Sequence, residues 1–311
     1  MSSAYLLDLA VGDPRWLPHP VRGLGWVIRR GEHLLRRLVR SERWAGGILV
    51  AGVLLGTWWL VKLSLGAAAE ISRELAWGME VFLLYACFST RDLAVESWPV
   101  YRALRDDDLE RARREVRMIV GRDTARLDER EITRATVETI AESVMDGIVA
   151  PLFYAALGGA PLCCLYKAVN TLDSMVGYRS ARYIRFGKVA AAVDRWFNAA
   201  PAWLTALLIS AAGGLLGFRA EGGLKALLDA RIQEENSFIA EAAMGGVLGI
   251  RLGGVNLYEG KAVDTPSMGK PLRPLRKKRI PEAIRVMYAA SALALVSAIL
   301  LRLFMARVIG K

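Results

Sequence analysis

A helix needs about 20 mostly apolar residues to cross a bilayer, and this chain carries several stretches near that length. Gly46 to Leu65 is interrupted only by Lys62, close enough to one end for its amine to snorkel to water. Leu75 to Thr90 is shorter and holds Glu80. Gly147 to Tyr166 has no charge but contains Pro151, Gly158, Gly159 and Pro161, so it reads as a bent or half-crossing segment. Trp196 to Phe218 is the longest uncharged run, and Val286 to Leu301 can be extended by a snorkelling Arg302. Hydrophobic residues make up 54 % of the chain and the mean hydropathy is +0.28. These runs favour a bilayer over a soluble bundle with buried helices. Strand patterns are absent, so the predicted class is all-α: a polytopic integral membrane helical bundle with cytoplasmic helical segments.

The charge supports a membrane setting and gives it a direction. Net charge is +11. Eight arginines stand between Arg15 and Arg43 against Glu32 and Glu42 alone, and Lys270, Arg273, Arg276, Lys277, Lys278 and Arg279 precede the last apolar run. The positive-inside tendency places both segments in the cytoplasm, with the bilayer as a partner. No nucleic-acid-binding signature accompanies the charge, so no nucleic acid is expected. Three cysteines in apolar stretches and two histidines exclude a zinc or iron–sulfur framework. The N-terminus has no basic n-region, so the chain reads as inserted in the cell's inner membrane, not exported.

The expected organisation is one membrane domain over 1–311. Residues 45–90 form a helical hairpin, 91–146 cytoplasmic helices, 147–260 a membrane-embedded catalytic core, 261–285 a basic loop and 286–306 the last span. Within 91–146, Asp108 can cap a helix through LERARREVRMIV, and Asp128 with Glu131 resembles a capping box for a helix toward Asp146. Leu252 to Pro281, rich in glycine and proline, reads as an irregular loop.

Glu138, Glu142 and Asp146 follow one another at four-residue spacing and share one helical face, with Arg134 one turn earlier. A solvated face is the ordinary meaning of such a stripe. This one runs into an uncharged segment, however, where unpartnered carboxylates are costly. Carboxylates suit Mg²⁺, which takes one or two of them plus substrate phosphates. In KAVNTLDSMVGY, helical spacing places Lys167, Asn170 and Asp173 or Ser174 on one side, and Arg179, Arg182 and Arg185 with Tyr183 follow. Such a set can grip phosphate and metal, or only satisfy a helix end. His19, held between Pro18 and Pro20, shares a loop with Asp13 and Arg22, which reads as a stapled loop or as a phosphate contact. A third polar island, Glu234 to Ser237 with Glu241, precedes GGVLGIRLGG, which lacks a Walker pattern.

Six blocks carry a resemblance: DLAVGDPRWLPHPVRGLG (Asp8 to Gly25), MIVGRDTARLD (Met118 to Asp128), VETIAESVMDGIVAPLFYAALGG (Val137 to Gly159), YKAVNTLDSMVGY (Tyr166 to Tyr178), RYIRFG (Arg182 to Gly187) and EAAMGGVLGIRLGG (Glu241 to Gly254). In order and spacing they resemble the adenosylcobinamide-phosphate synthase family, the CobD/CbiB membrane proteins of cobalamin biosynthesis. The resemblance implies ATP-dependent joining of adenosylcobyric acid, a corrinoid, to aminopropanol or its phosphate. That amine would be supplied by a threonine-phosphate decarboxylase, and the active site would face the cytoplasm. It also implies Mg²⁺ on Glu142, Asp146 and Asp173, catalysis by these with Lys167, and substrate or nucleotide contacts from Asp13, His19, Arg22, Arg122, Asp123, Glu138, Asn170, Ser174, Tyr178, Arg182, Asn236 and Glu241.

The likeness has departures. Ser143 and Met145 stand where the family has asparagine and serine, and Arg195 follows Asp194 where two acids are usual. A histidine- and proline-bearing segment is reduced to ARIQEENSFIAEA, keeping Asn236 and Glu241. The alternative is a catalytically silent membrane sensor or scaffold, by a distant likeness of this family to AmpE-type proteins. A homo-oligomer is left open.

Overall fold

The computed structural model describes residues 1–14, 19–178, 180–228, 235–258 and 260–309. Arg15, Pro18, Arg179 and Glu234 lie outside them. In chain order the elements are α1 (Ser2–Val11), α2 (Pro20–Leu38), α3 (Glu42–Ile71), α4 (Arg73–Tyr85), α5 (Thr90–Arg105), α6 (Leu109–Arg117) and α7 (Glu129–Val144). A π-helical turn, Met145–Val149, leads into α8 (Ala150–Val176), α9 (Lys188–Leu215), α10 (Ala220–Ala226) and α11 (Asn236–Leu248). A hairpin of β1 (Leu252–Tyr258) and β2 (Lys261–Met268) precedes α12 (Arg279–Ile309).

The fold is helical, and among the described residues four stretches are long and apolar enough to cross a membrane: Glu42–Ile71, Glu129–Val176, Lys188–Leu215 and Arg279–Val308. Over 45–90 two packed helices, α3 and α4, are present. The second, α4, has 13 residues, about 20 Å at 1.5 Å per residue, short of the roughly 30 Å hydrocarbon core. The bend expected in 147–166 is present. Within α8, Gly158 has φ −150° and Gly159 φ 64°, the latter a left-handed conformation that glycine adopts without steric cost.

Both expected caps form. The Asp108 carboxylate accepts the Arg111 N–H at 2.9 Å, and that of Asp128 accepts the Glu131 N–H at 2.8 Å. The capping box closes on one side only, because the Glu131 carboxylate turns to Arg134 instead.

The chain divides into two compact units. The first comprises Met1–Ser89, Ala150–Ala199 and Leu295–Lys311; the second comprises Thr90–Val149 and Ala200–Ala294. In the first, Ile28, Leu49, Val53, Leu172, Val176 and Phe186 share a buried cluster. Ala168, Leu172 and Val176 enter it at four-residue spacing, which turns the buried stripe of α8 inward and leaves Lys167, Asn170 and Asp173 half-buried beside it. Gly46 of α3 fits only because it has no side chain: a Cβ there would sit 1.8 Å from the Phe186 carbonyl oxygen.

The second unit corrects the reading of 252–281 as an irregular loop, and the all-α class holds with one small hairpin. β1 and β2 pair antiparallel with Val255 opposite Asp264, and the register shifts between Leu252 and Gly254. The alternation that marks a half-buried strand is missing because Val255, Leu257 and Val263 are exposed. What holds this hairpin is polar and lies on other elements.

Candidate functional site

In the second unit, a buried carboxylate organises the site. Glu138 stands just past the middle of α7 and is 4 % exposed. It accepts from Arg122 Nη2 at 2.6 Å, from Arg134 Nη1 at 3.3 Å and from the backbone N–H of Gly253 at 2.8 Å. Arg134 also donates to the Gly253 carbonyl at 2.7 Å, the Val255 carbonyl at 3.2 Å and Asn256 Oδ1 at 2.8 Å. Arg122 reaches the same Asn256 oxygen at 2.7 Å. Asp123 completes the attachment, since its N–H donates to the Leu257 carbonyl and its carboxylate accepts the Gly260 N–H, both at 2.8 Å. Two arginines and a carboxylate therefore clamp the hairpin to α7.

Glu241, on α11, is 8 % exposed and belongs to the same neighbourhood. Burial first, then the negative charges of Glu138 and Glu142, hold its carboxyl well above the usual range, and Arg122 and Arg134 only partly oppose this. That raised proton affinity suits the carboxyl to hold and exchange a proton. Burial likewise raises the Tyr258 phenol. Glu142 is exposed, Asp146 is half-buried on the π-helical turn, and Asn236 opens α11.

The first unit holds the other predicted residues. His19 is the N-cap of α2, its Nδ1 accepting the Val21 N–H at 3.3 Å. Its Nε2 lies 4.0 Å from Asp13 Oδ2, and Arg22 Nη2 lies 3.7 Å from the same oxygen. Burial lowers the imidazole's proton affinity, Asp13 opposes this, and the positive charge of Lys167 lowers it further. Asp13, His19 and Arg22 form a set around one carboxylate oxygen.

Other predicted residues have local partners. Ser174 donates to the Thr171 carbonyl at 3.1 Å, and Asp173 Oδ1 folds over Gly177, 1.9 Å from where a Cβ would stand. Tyr178 is exposed. Arg182 donates to Glu32 Oε1 at 2.9 Å, which also takes Arg36 Nε at 3.0 Å, while Tyr183 donates to Glu32 Oε2 at 3.3 Å. The arginine expected to meet phosphate thus ties the loop after α8 to α2. The basic run before α12 is likewise partly internal: Lys277 pairs with Asp107 at 2.6 Å, and Arg279, 1 % exposed, pairs with Glu282 at 2.6 Å.

Among the described residues no group of three or more His, Cys, Asp or Glu side chains could hold a metal. Glu142, Asp146 and Asp173 therefore make no protein-only metal cage, and Asp173 belongs to a different unit from the other two. Glu142 and Asp146, one turn apart, remain a donor pair of the kind Mg²⁺ accepts when phosphates complete its shell. Sequence reasoning missed Asn256 and the Gly253 amide, whose only signal was Gly253-Gly254 as a turn pair.

The family model described as CobD/Cbib protein matches residues 1–287. Relatives include the "Cobalamin biosynthesis protein CobD" of Geobacter metallireducens, 46 % identical over 300 residues, covering 94 % of this chain and 92 % of the relative. The "Cobalamin biosynthesis protein CbiB" of Salmonella arizonae is 42 % identical over 297 residues, covering 94 % and 93 %. No solved structure matches.

Proposed function

Because the chain belongs to the CobD/CbiB family, we propose that it acts in cobalamin biosynthesis as an amide synthase, joining a propionate of adenosylcobyric acid to (R)-1-amino-2-propanol or its O-phosphate at the expense of ATP. The observation that carries this reading is the buried Arg122–Glu138–Arg134 clamp beside the buried Glu241, whose proton affinity is raised. Cations gathered next to a proton-exchanging acid are what acyl activation and amine attack require.

The chemistry follows from electrophilicity. A carboxylate resists attack by an amine, so its oxygen first takes the terminal phosphoryl group of ATP, releasing ADP and leaving an acyl phosphate. The amine nitrogen then bonds to the acyl carbon, phosphate departs with the C–O bonding pair, and the nitrogen loses a proton. Glu142 and Asp146 would hold Mg²⁺, which supplies charge neutralisation at the phosphates. Lys167 and Asn170 offer an ammonium and an amide to phosphate oxygens, and Asp173 is a further acidic candidate. Arg22 and His19 offer donors from the same unit. The inner-membrane setting, with the site facing the cytoplasm, fits the supply of ATP there. The amine would come from a threonine-phosphate decarboxylase.

The test is direct. Purified full-length protein receives adenosylcobyric acid, aminopropanol phosphate and MgATP, and the products are separated by mass. Formation of the corrinoid amide with stoichiometric ADP is expected. Absence of both the amide product and corrinoid binding would overturn the proposal in favour of the sensor or scaffold reading.

A further inference from the structure

The first unit carries a concentration of charge that the proposed reaction does not use. A cavity of about 400 Å³ opens where α3 and α9 begin, lined by Arg40, Ser41, Glu42, Arg43, Arg185 and Lys188, with Ile184 at its edge. Its one carboxylate is already engaged, because Glu42 accepts from Arg36 at 2.7 Å. Arg40, Arg43, Arg185 and Lys188 have no ion-pair partner among the described residues. Ser41 is the N-cap of α3 yet makes no side-chain capping bond, which leaves its hydroxyl to a guest. Four like charges around one cavity repel one another unless an anion joins them.

The setting narrows the anion. Both α3 and α9 are candidate membrane spans, and the cavity lies at the first turn of each, where an apolar segment would leave the headgroup region. Trp44, in that first turn of α3, is 72 % exposed and Ile184 is 53 % exposed. Exposed tryptophan beside basic residues is the pattern of a membrane–water boundary, and anionic leaflets draw such clusters. Arginine forks match phosphate oxygens in bidentate fashion. We propose that this cavity binds the phosphate of an anionic phospholipid headgroup, with the acyl chains running along the exposed apolar side of α3. A free phosphate ester shares the phosphate chemistry but offers nothing to Trp44 or Ile184.

Isothermal titration of the detergent-solubilised full chain decides the matter with three probes: short-chain phosphatidylglycerol, short-chain phosphatidylcholine and sn-glycerol 3-phosphate. Phosphatidylglycerol is expected to bind, and Arg43→Gln combined with Lys188→Gln to weaken it on the order of thirtyfold, two cations being removed. Phosphatidylcholine should bind weakly and ignore the substitutions, and glycerol phosphate should not saturate. Arg40→Gln with Arg185→Gln repeats the measurement should the first pair fold poorly, and Arg307→Gln controls for net charge. Phosphatidylglycerol affinity unchanged in either folded pair overturns the site. Charge-sensitive glycerol phosphate binding as tight as the lipid's overturns the lipid and assigns the cavity to a soluble ester.

Discussion

Replacing Glu138 by glutamine isolates the electrostatic part of the hairpin clamp. The amide keeps the size of the side chain and still offers an oxygen to the Gly253 N–H, but the negative charge is lost. Arg134 retains a counter-charge from Glu131 and acceptors at Gly253, Val255 and Asn256. Arg122, with a side chain 10 % exposed, keeps Asn256 Oδ1 alone among the described acceptors. One buried guanidinium, not two, is therefore stranded. Breaking a buried pair by removing one partner costs about 3–5 kcal/mol, and the retained Arg134 partners place this case near 3 kcal/mol, or roughly a hundredfold in a local opening constant. Hydrogen exchange followed by mass spectrometry should show that loss of protection in peptides covering Asp123 and 253–258, while α2 stays unchanged. Adding Arg122→Met removes the stranded charge and should restore most of the protection. Unchanged exchange in the single variant, or additive losses in the double, would refute the reasoning.

Asp146→Asn should abolish amide formation while expression and corrinoid binding stay close to normal; should it and Asp173→Asn both turn over at near-normal rates with an unchanged Mg²⁺ requirement, the metal assignment fails. Glu241 has a raised folded-state proton affinity, so the folded state holds a proton the unfolded state releases, and stability falls as pH climbs above about 4.5. Glu241→Gln should flatten that decline in thermal melts between pH 5 and 8, and an unaltered slope would place the carboxyl's ionisation elsewhere. His19→Ala should raise the KM for the phosphorylated amine by more than it lowers the melting temperature, the lost N-cap being worth only about 1 kcal/mol; a collapsed melt with unchanged kinetics per folded molecule would make the loop purely structural.

Long helices and their caps were legible because each depends on neighbours in sequence. Asp108 and Asp128 cap the amides three residues on, and Gly158-Gly159 bends α8 through its own backbone freedom. The length of α4 was less so, since an apolar run does not say where hydrogen bonding stops. The hairpin was illegible for a different reason. Its strands bury Leu252 and Asn256 but expose Val255 and Leu257, so no period of two is written in the residues, and its anchors, Arg122 and Arg134, are more than a hundred positions away. Arg182 misled because a guanidinium that can meet phosphate can equally meet Glu32, and only the fold selects.

The acidic stripe of α7 shows how one sequence pattern separates into distinct chemical states. At four-residue spacing Glu138, Glu142 and Asp146 look equivalent, yet their surroundings are not. Glu138 lies between two buried guanidiniums and holds the hairpin, so its charge is already answered. Glu142, one turn on, is exposed. The π-helical turn Met145–Val149 then widens the helix just where Asp146 stands, so Asp146 departs from the direction a continuous α-helix would give it, a geometry that recurs at functional sites. Glu241 approaches from α11, and burial together with the two carboxylates raises its proton affinity. A cation arriving at Glu142 and Asp146 would relieve part of that repulsion and lower the proton affinity of Glu241. Metal loading and proton release are therefore linked in the proposed reaction: Mg²⁺ titrated into the wild type at constant pH should release protons to the buffer, and into Glu241→Gln should release fewer.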